Sequence, residues 1–157
     1  MAEGNQIEIA KEMYTYLCET LDSIGLNYEK FEEEMIVHFK VHGDDLPIDS
    51  IIRIDAERQL VTAISMLPFR FSDERKIDGA IAVCTVNLGL ADGCFNYDLS
   101  DGTIMFKVNA TYLNSKLGKG LFLHLINCTN YVVDEYNDKF FAIEKGYLSI
   151  EDFIADK

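Results

Sequence analysis

The chain has 157 residues, with 27 Asp or Glu against 14 Lys or Arg, a formal net charge of −13 and 48% apolar residues. That is the length of one domain, 1–157, and a chain this long buries roughly 68–70% of its unfolded surface, enough for a core without covalent staples. The acidity argues against phosphate-rich partners such as nucleic acid and against anionic membrane surfaces.

No apolar run approaches the ~18 residues needed to span a bilayer. The opening Met1-Ala2-Glu3-Gly4 lacks the basic-then-apolar layout of a secretory signal, so the expected compartment is the cytoplasm. The four cysteines, Cys18, Cys84, Cys94 and Cys128, form no C-x-x-C pair and have no His at recognised metal spacing, and are expected as reduced thiols.

Asn5 is a candidate N-cap with Glu8 at the third helical position. Ala10, Met13, Tyr14, Leu17, Leu21 and Ile24 then follow the 3-4 spacing of one buried helical face, and Gly25 ends it. The period switches to two at Met35, Val37, Phe39 and Val41, the inward positions of a strand that also carries His38 and His42. A second strand is expected over Ser50–Asp55 and a third over Gln59–Leu67, stopped by Pro68. The third is apolar on both faces, which predicts cover on both sides by helices or by a partner chain. Ser72 is placed to cap a second helix running to about Leu90, with Asp73 and Glu74 near its positive end.

Phe95, Tyr97 and Leu99 line one arm of a hairpin and Ile104, Phe106, Val108 and Ala110 the other, joined through Ser100-Asp101-Gly102. A long last helix begins near Lys119 or Gly120 and ends at Gly146. Leu121, Leu125, Cys128, Val132 and Tyr136 form its stripe, broadened by Phe122, Ile126, Val133, Phe140 and Ile143. Residues 147–157 read as a short acidic tail outside a core of about 5–145. The order α-βββ-α-ββ-α predicts an α+β fold, a five-stranded antiparallel sheet flanked by helices.

Nothing in this order carries recognisable catalysis. His38 and His42 stand ~13 Å apart along their strand, too far to share one metal, and His124 lies among apolar helical neighbours. Glu32-Glu33-Glu34 and Asp44-Asp45 read as solvated edges. Asp92, Asp98 and Asp101 lack calcium-loop spacing, and Gly118-Lys119-Gly120 lacks the phosphate-loop pattern. The expectation is no catalytic residue, no cofactor and no metal.

The middle helix is more informative. At ~100° per residue, Ile77, Ala80, Ile81, Cys84 and Leu88 cluster on one side, which reads as the core face. Gly79, Ala82, Val83, Val86 and Leu90 lie opposite, where a surface helix would carry charge. Either the helix is sandwiched within its own domain or this second face meets another subunit. The expectation is a homodimer interface at those five residues.

With helix and hairpin in view, Val86–Lys107 resembles the YbjN-type family, which shares the fold of type III secretion chaperones. Asn87, Gly93, Phe95, Tyr97, Asp98, Asp101, Gly102, Ile104, Phe106 and Lys107 match its run N…G-x-F-x-(Y/F)-D…D-G-x-(I/V)-x-(F/Y)-(K/R). The element order extends the likeness over about residues 5–145. The resemblance implies a small acidic homodimer paired largely through its middle helix and nearby strand, with no catalytic set to carry over. The function expected is a non-enzymatic cytoplasmic protein-binding module, chaperone-like or regulatory, that holds an apolar partner segment. The alternatives are a small-molecule sensor with an internal apolar pocket and an enzyme whose residues converge only in three dimensions.

Overall fold

A computed structural model describes residues 4–156. Helix α1 (Gly4–Ser23) leads into four strands, β1 (Tyr28–Phe31), β2 (Ile36–His42), β3 (Pro47–Asp55) and β4 (Leu60–Arg70). Then come α2 (Lys76–Gly89), β5 (Cys94–Asp98), β6 (Thr103–Thr111), α3 (Lys119–Glu144) and α4 (Ile150–Ala155). The strands form one six-stranded sheet in the order β1-β2-β3-β4-β6-β5, every pair antiparallel.

The expected architecture is therefore present, with one strand more than the five foreseen. The added strand is β1, whose sequence Tyr-Glu-Lys-Phe offers no alternation and is exposed over its last three residues. It pairs with β2 through Glu29↔His38 and Phe31↔Ile36. Met35 lies in the connecting turn at φ 52° instead of opening β2. Pro68 does not stop β4, which continues to Arg70 across a register shift after Met66. The physical reason is that β3 pairs only as far as Met66, opposite Asp49, so a missing N–H at Pro68 leaves no β3 acceptor wanting.

One face of the sheet is packed and alternation along each strand shows which. Val37, Ile52, Ala63 and Val108 are in register across four strands, and the next inward row is Phe39, Ser50, Ser65, Phe106 and Phe95. All are buried. The helices lie on this face alone. Helix α3 crosses β4 and β6, α1 lies beside it over β3, and α2 rests against β5. Helix α1 buries Met13, Leu17 and Leu21 as its spacing predicts. In α3 the centre of the buried stripe is Phe122, Ile126, Val133, Phe140 and Ile143. Residues 147–157 include a docked helix and not only a tail: Ser149 Oγ accepts the amide of Asp152 at 3.0 Å and Phe153 packs against Phe140.

The middle helix is turned opposite to expectation. Gly79, Ala82, Val83 and Val86 face the chain's own core, with Val83 at 5% exposure, and Leu90 is half-buried against it. Ile77, Ile81 and Leu88 point outward. The candidate dimer stripe is thus internal packing, and the cause is steric. A Cβ at Gly79 would stand 2.5 Å from the ring of Phe71, so this ring can be buried only against a glycine. Ser72 does not cap α2. Its amide and hydroxyl instead donate to Glu144 Oε2, at 2.9 and 3.3 Å, tying the start of the α2 segment to the end of α3. At the other end, the Asn87 carboxamide donates to Phe95 O at 2.9 Å and accepts Phe95 N–H at 2.8 Å.

Two substitutions check this orientation by urea denaturation. Gly79→Ala should destabilise by ~1–3 kcal/mol through overpacking on Phe71, although helix propensity alone favours alanine by ~1 kcal/mol. Val83→Glu should cost at least ~3 kcal/mol by burying a carboxylate. Stability retained in both variants would mean that this face of α2 is not core.

Candidate functional site

Among the described residues, no helix packs on the second face of the sheet. Across it run Glu29, His38, Ile51, Ile64, Lys107 and Cys94, in register from β1 to β5. The adjacent row is Lys40, Asp49, Met66, Met105 and Asn96. Its middle is apolar: Ile51, Ile64 and Met105 are half-buried, and Met66 is 37% exposed. The two-sided apolar pattern of β4 is therefore explained on one side by the helices and left uncovered on the other.

The β1–β3 flank of this face is charged and internally paired. His38 Nε2 meets Asp49 Oδ1, its Nδ1 lies 3.4 Å from Glu29 Oε2, and Lys40 Nζ is 3.7 Å from Asp49. The Asp49 carboxylate, assisted by Glu29 and opposed by partial burial, raises the His38 pKa above its ordinary 6.5. The arrangement is an ion-pair border.

Elsewhere on the surface, clefts are open and carry charged side chains among apolar ones. One of 610 Å³ between α3 and α4 is lined by Glu135, Lys139, Asp152 and Asp156 together with Leu148 and Phe153. One of 480 Å³ is lined by Arg70, Asp73, Lys76, Asp101 and Glu144 among others. A smaller one, of 380 Å³, holds Tyr14 and Cys18. Burial pushes the Tyr14 hydroxyl up to about 12 and the Cys18 thiol above its usual value, so both keep their protons at neutral pH. That is the wrong direction for an activated nucleophile.

All four cysteines are free. One of them stands in a cluster that sequence inspection missed. His124 and Cys128, one turn apart on α3, meet Asp92 from the loop between α2 and β5. His124 Nε2 lies 2.7 Å from Asp92 Oδ2, and Cys128 Sγ lies 3.9 Å from Asp92 O. Burial, reinforced by the Asp92 charge, raises the Cys128 thiol. The H-x-x-x-C spacing on a helix was a readable signal, contrary to the expectation of no His at metal spacing. Asp92 supplies the third group from 32 positions away.

Folding around His38 should be pH-dependent. Because Asp49 and Glu29 favour the imidazolium, the folded state holds its proton more tightly than the unfolded chain does. The resulting stabilisation is complete below pH 6.5 and is lost as pH rises through the elevated folded value. Denaturation midpoints measured across this range should fall with pH, and Asp49→Asn should flatten the fall.

Among the described residues no helix is long and apolar enough to cross a membrane. No family model matches the chain, and no curated protein sequence matches it. Solved structures do. The structure of the ExsC–ExsE complex matches with a TM-score of 0.57 at 15% identity, over 81% of this chain and 92% of that one. YbjN from E. coli, described as a candidate transcription regulator, matches with a TM-score of 0.58 at 10% identity, over 80% and 87%. Both matches cover about four-fifths of this chain, and the chain has the YbjN-type, type III secretion chaperone-like fold.

Proposed function

We propose that this protein is a non-enzymatic binding module, chaperone-like or regulatory, that holds an extended apolar segment of a partner protein on its open sheet face. The observation that carries the reading is the uncovered centre of that face, Ile51, Ile64, Met66 and Met105, beside a flank of paired charges. Contiguous apolar surface rimmed by polar groups is the ordinary form of a protein-interaction site. The net charge of −13 favours a segment with basic flanks and repels acidic competitors. The similarity to a chain solved in complex with a protein supports a protein partner. Open, charge-lined clefts give less support to a sensor with an enclosed apolar pocket.

The same reading includes a homodimer, now on the outer face of α2. Leu88 is 91% exposed and Ile77 63%, with Ile81 between them. In a two-fold pair each contact occurs twice, so three such side chains contribute six. A cytoplasmic location fits the acidic, thiol-bearing composition.

Anisotropy titrations with labelled apolar peptides of about ten residues test the sheet face. Basic-flanked peptides should bind and acidic-flanked ones should not, and Ile64→Lys should weaken binding at least ~10-fold while the protein stays folded. Peptide affinity untouched by Ile64→Lys would remove the sheet face from the proposal. Light scattering at ~100 μM should give a dimer for the wild type and a folded monomer for Leu88→Glu, whose carboxylates would oppose one another across the axis. A wild-type monomer would remove the dimer.

A further inference from the structure

We propose that Asp92, His124 and Cys128 form a binding site for a borderline divalent transition metal, zinc foremost. One carboxylate oxygen, one imidazole nitrogen and one sulfur from these residues all lie within 4.8 Å of one another. Tetrahedral zinc holds oxygen and nitrogen at ~2.0–2.2 Å and sulfur at ~2.3 Å, which sets neighbouring ligand atoms ~3.3–3.8 Å apart. To reach that spacing the sulfur would move inward and the 2.7 Å His124–Asp92 contact would widen to admit the metal.

The scaffold suits the task. His124 and Cys128 are at i and i+4 on the 26-residue α3, so their side chains leave the same face one turn apart. Asp92 is brought to them by the short loop between α2 and β5. The donor set is specific in chemistry. Sulfur and imidazole select zinc, cobalt or nickel over magnesium and calcium, which take oxygen ligands. One carboxylate and one thiolate balance a divalent charge. His124 and Asp92 are half exposed, so a metal held by three protein groups keeps a fourth position open to water. The other histidine cluster of the chain, His38 with Asp49 and Glu29, contains no sulfur and serves as an internal comparison.

The site would pin the loop after α2 onto α3, coupling metal occupancy to the stability of that junction. It stands apart from the open sheet face, so its test does not depend on the partner-binding proposal. Chelator-treated, reduced protein is titrated with Zn(II) against a chromophoric competitor, in ~1 mM Mg(II) to suppress loose binding to the acidic surface. One equivalent should bind with at least micromolar affinity, and Tm should rise on the order of 5 °C at saturation. Co(II) should give the intense near-ultraviolet band of a thiolate-to-cobalt transition.

Cys128→Ser should abolish that band and weaken zinc binding at least ~10-fold, and His124→Gln should weaken zinc comparably. Cys84→Ser and His38→Gln should change neither. Circular dichroism of the metal-free variants separates lost ligands from lost structure, and Asp92→Asn, at an exposed loop position, gives a second route to the same loss. Zinc binding that survives both Cys128→Ser and His124→Gln, a cobalt spectrum without the thiolate band, or no binding at micromolar zinc would each overturn the assignment.

Discussion

Phe71 is the contact on which the arrangement of this fold turns. It is 1% exposed and occupies the point where β4 hands the chain to α2. Its ring lies against Gly79 on α2 and meets Tyr97 of β5 edge-on at 6.0 Å. Its backbone is committed as well, since Phe71 N–H donates to Gly102 O at 2.9 Å. Gly102 sits at φ 77° in the β5–β6 turn, and a Cβ there would stand 2.0 Å from Phe71 O. A β4 terminus, a helix and a hairpin turn thus converge on one residue, and two glycines make the convergence possible. Rotate α2 about its axis and the ring has nowhere to go.

From that contact the division of the surface follows. With Gly79, Ala82 and Val83 turned inward, the larger side chains of α2, Ile77, Ile81 and Leu88, are left in water. All helices lie on the same side of the sheet, so the alternation that buries Ala63 and Ser65 leaves Ile64 and Met66 on the bare side. The protein therefore carries two separate apolar surfaces, one on a helix and one on a sheet. Neither is an accident of composition, because each is the far side of a packed element.

Much of this was legible in the sequence where a periodic pattern coincides with a single buried face. Met13, Leu17 and Leu21 in α1 and Phe122, Ile126 and Val133 in α3 are of that kind. So are Phe95 and Phe106, paired across a hairpin whose turn Asp101-Gly102 announces. Periodicity failed for α2 because both of its faces are apolar. The choice between them rests on the fit of Gly79 to a ring eight positions earlier, which no count of hydrophobic residues reveals. Strand β1 was illegible because its four residues do not alternate and three of them are exposed; pairing with β2 makes it a strand. Helix α4 carried a readable S-x-x-D start at Ser149 and Asp152 that was passed over as tail. Of the candidate site, the apolar side of β4 was visible in advance. The trio of Asp92, His124 and Cys128 was half visible, as a spacing on one helix whose third member arrives only through the fold.

The Asn87 carboxamide sets how the sheet ends. A strand edge with a free N–H and C=O is a template on which further strands can add. Near the start of β5, Asn87 occupies both groups of Phe95, so a side chain takes the place of a seventh strand there. The opposite edge is β1, four residues long with Glu29 and Lys30 exposed. A sheet with an apolar face and open edges would invite end-to-end growth into fibres. With one edge blocked at Phe95 and the other short and charged, an added strand would find little ladder to extend. On the proposed binding role, capture on such a face would saturate and not propagate.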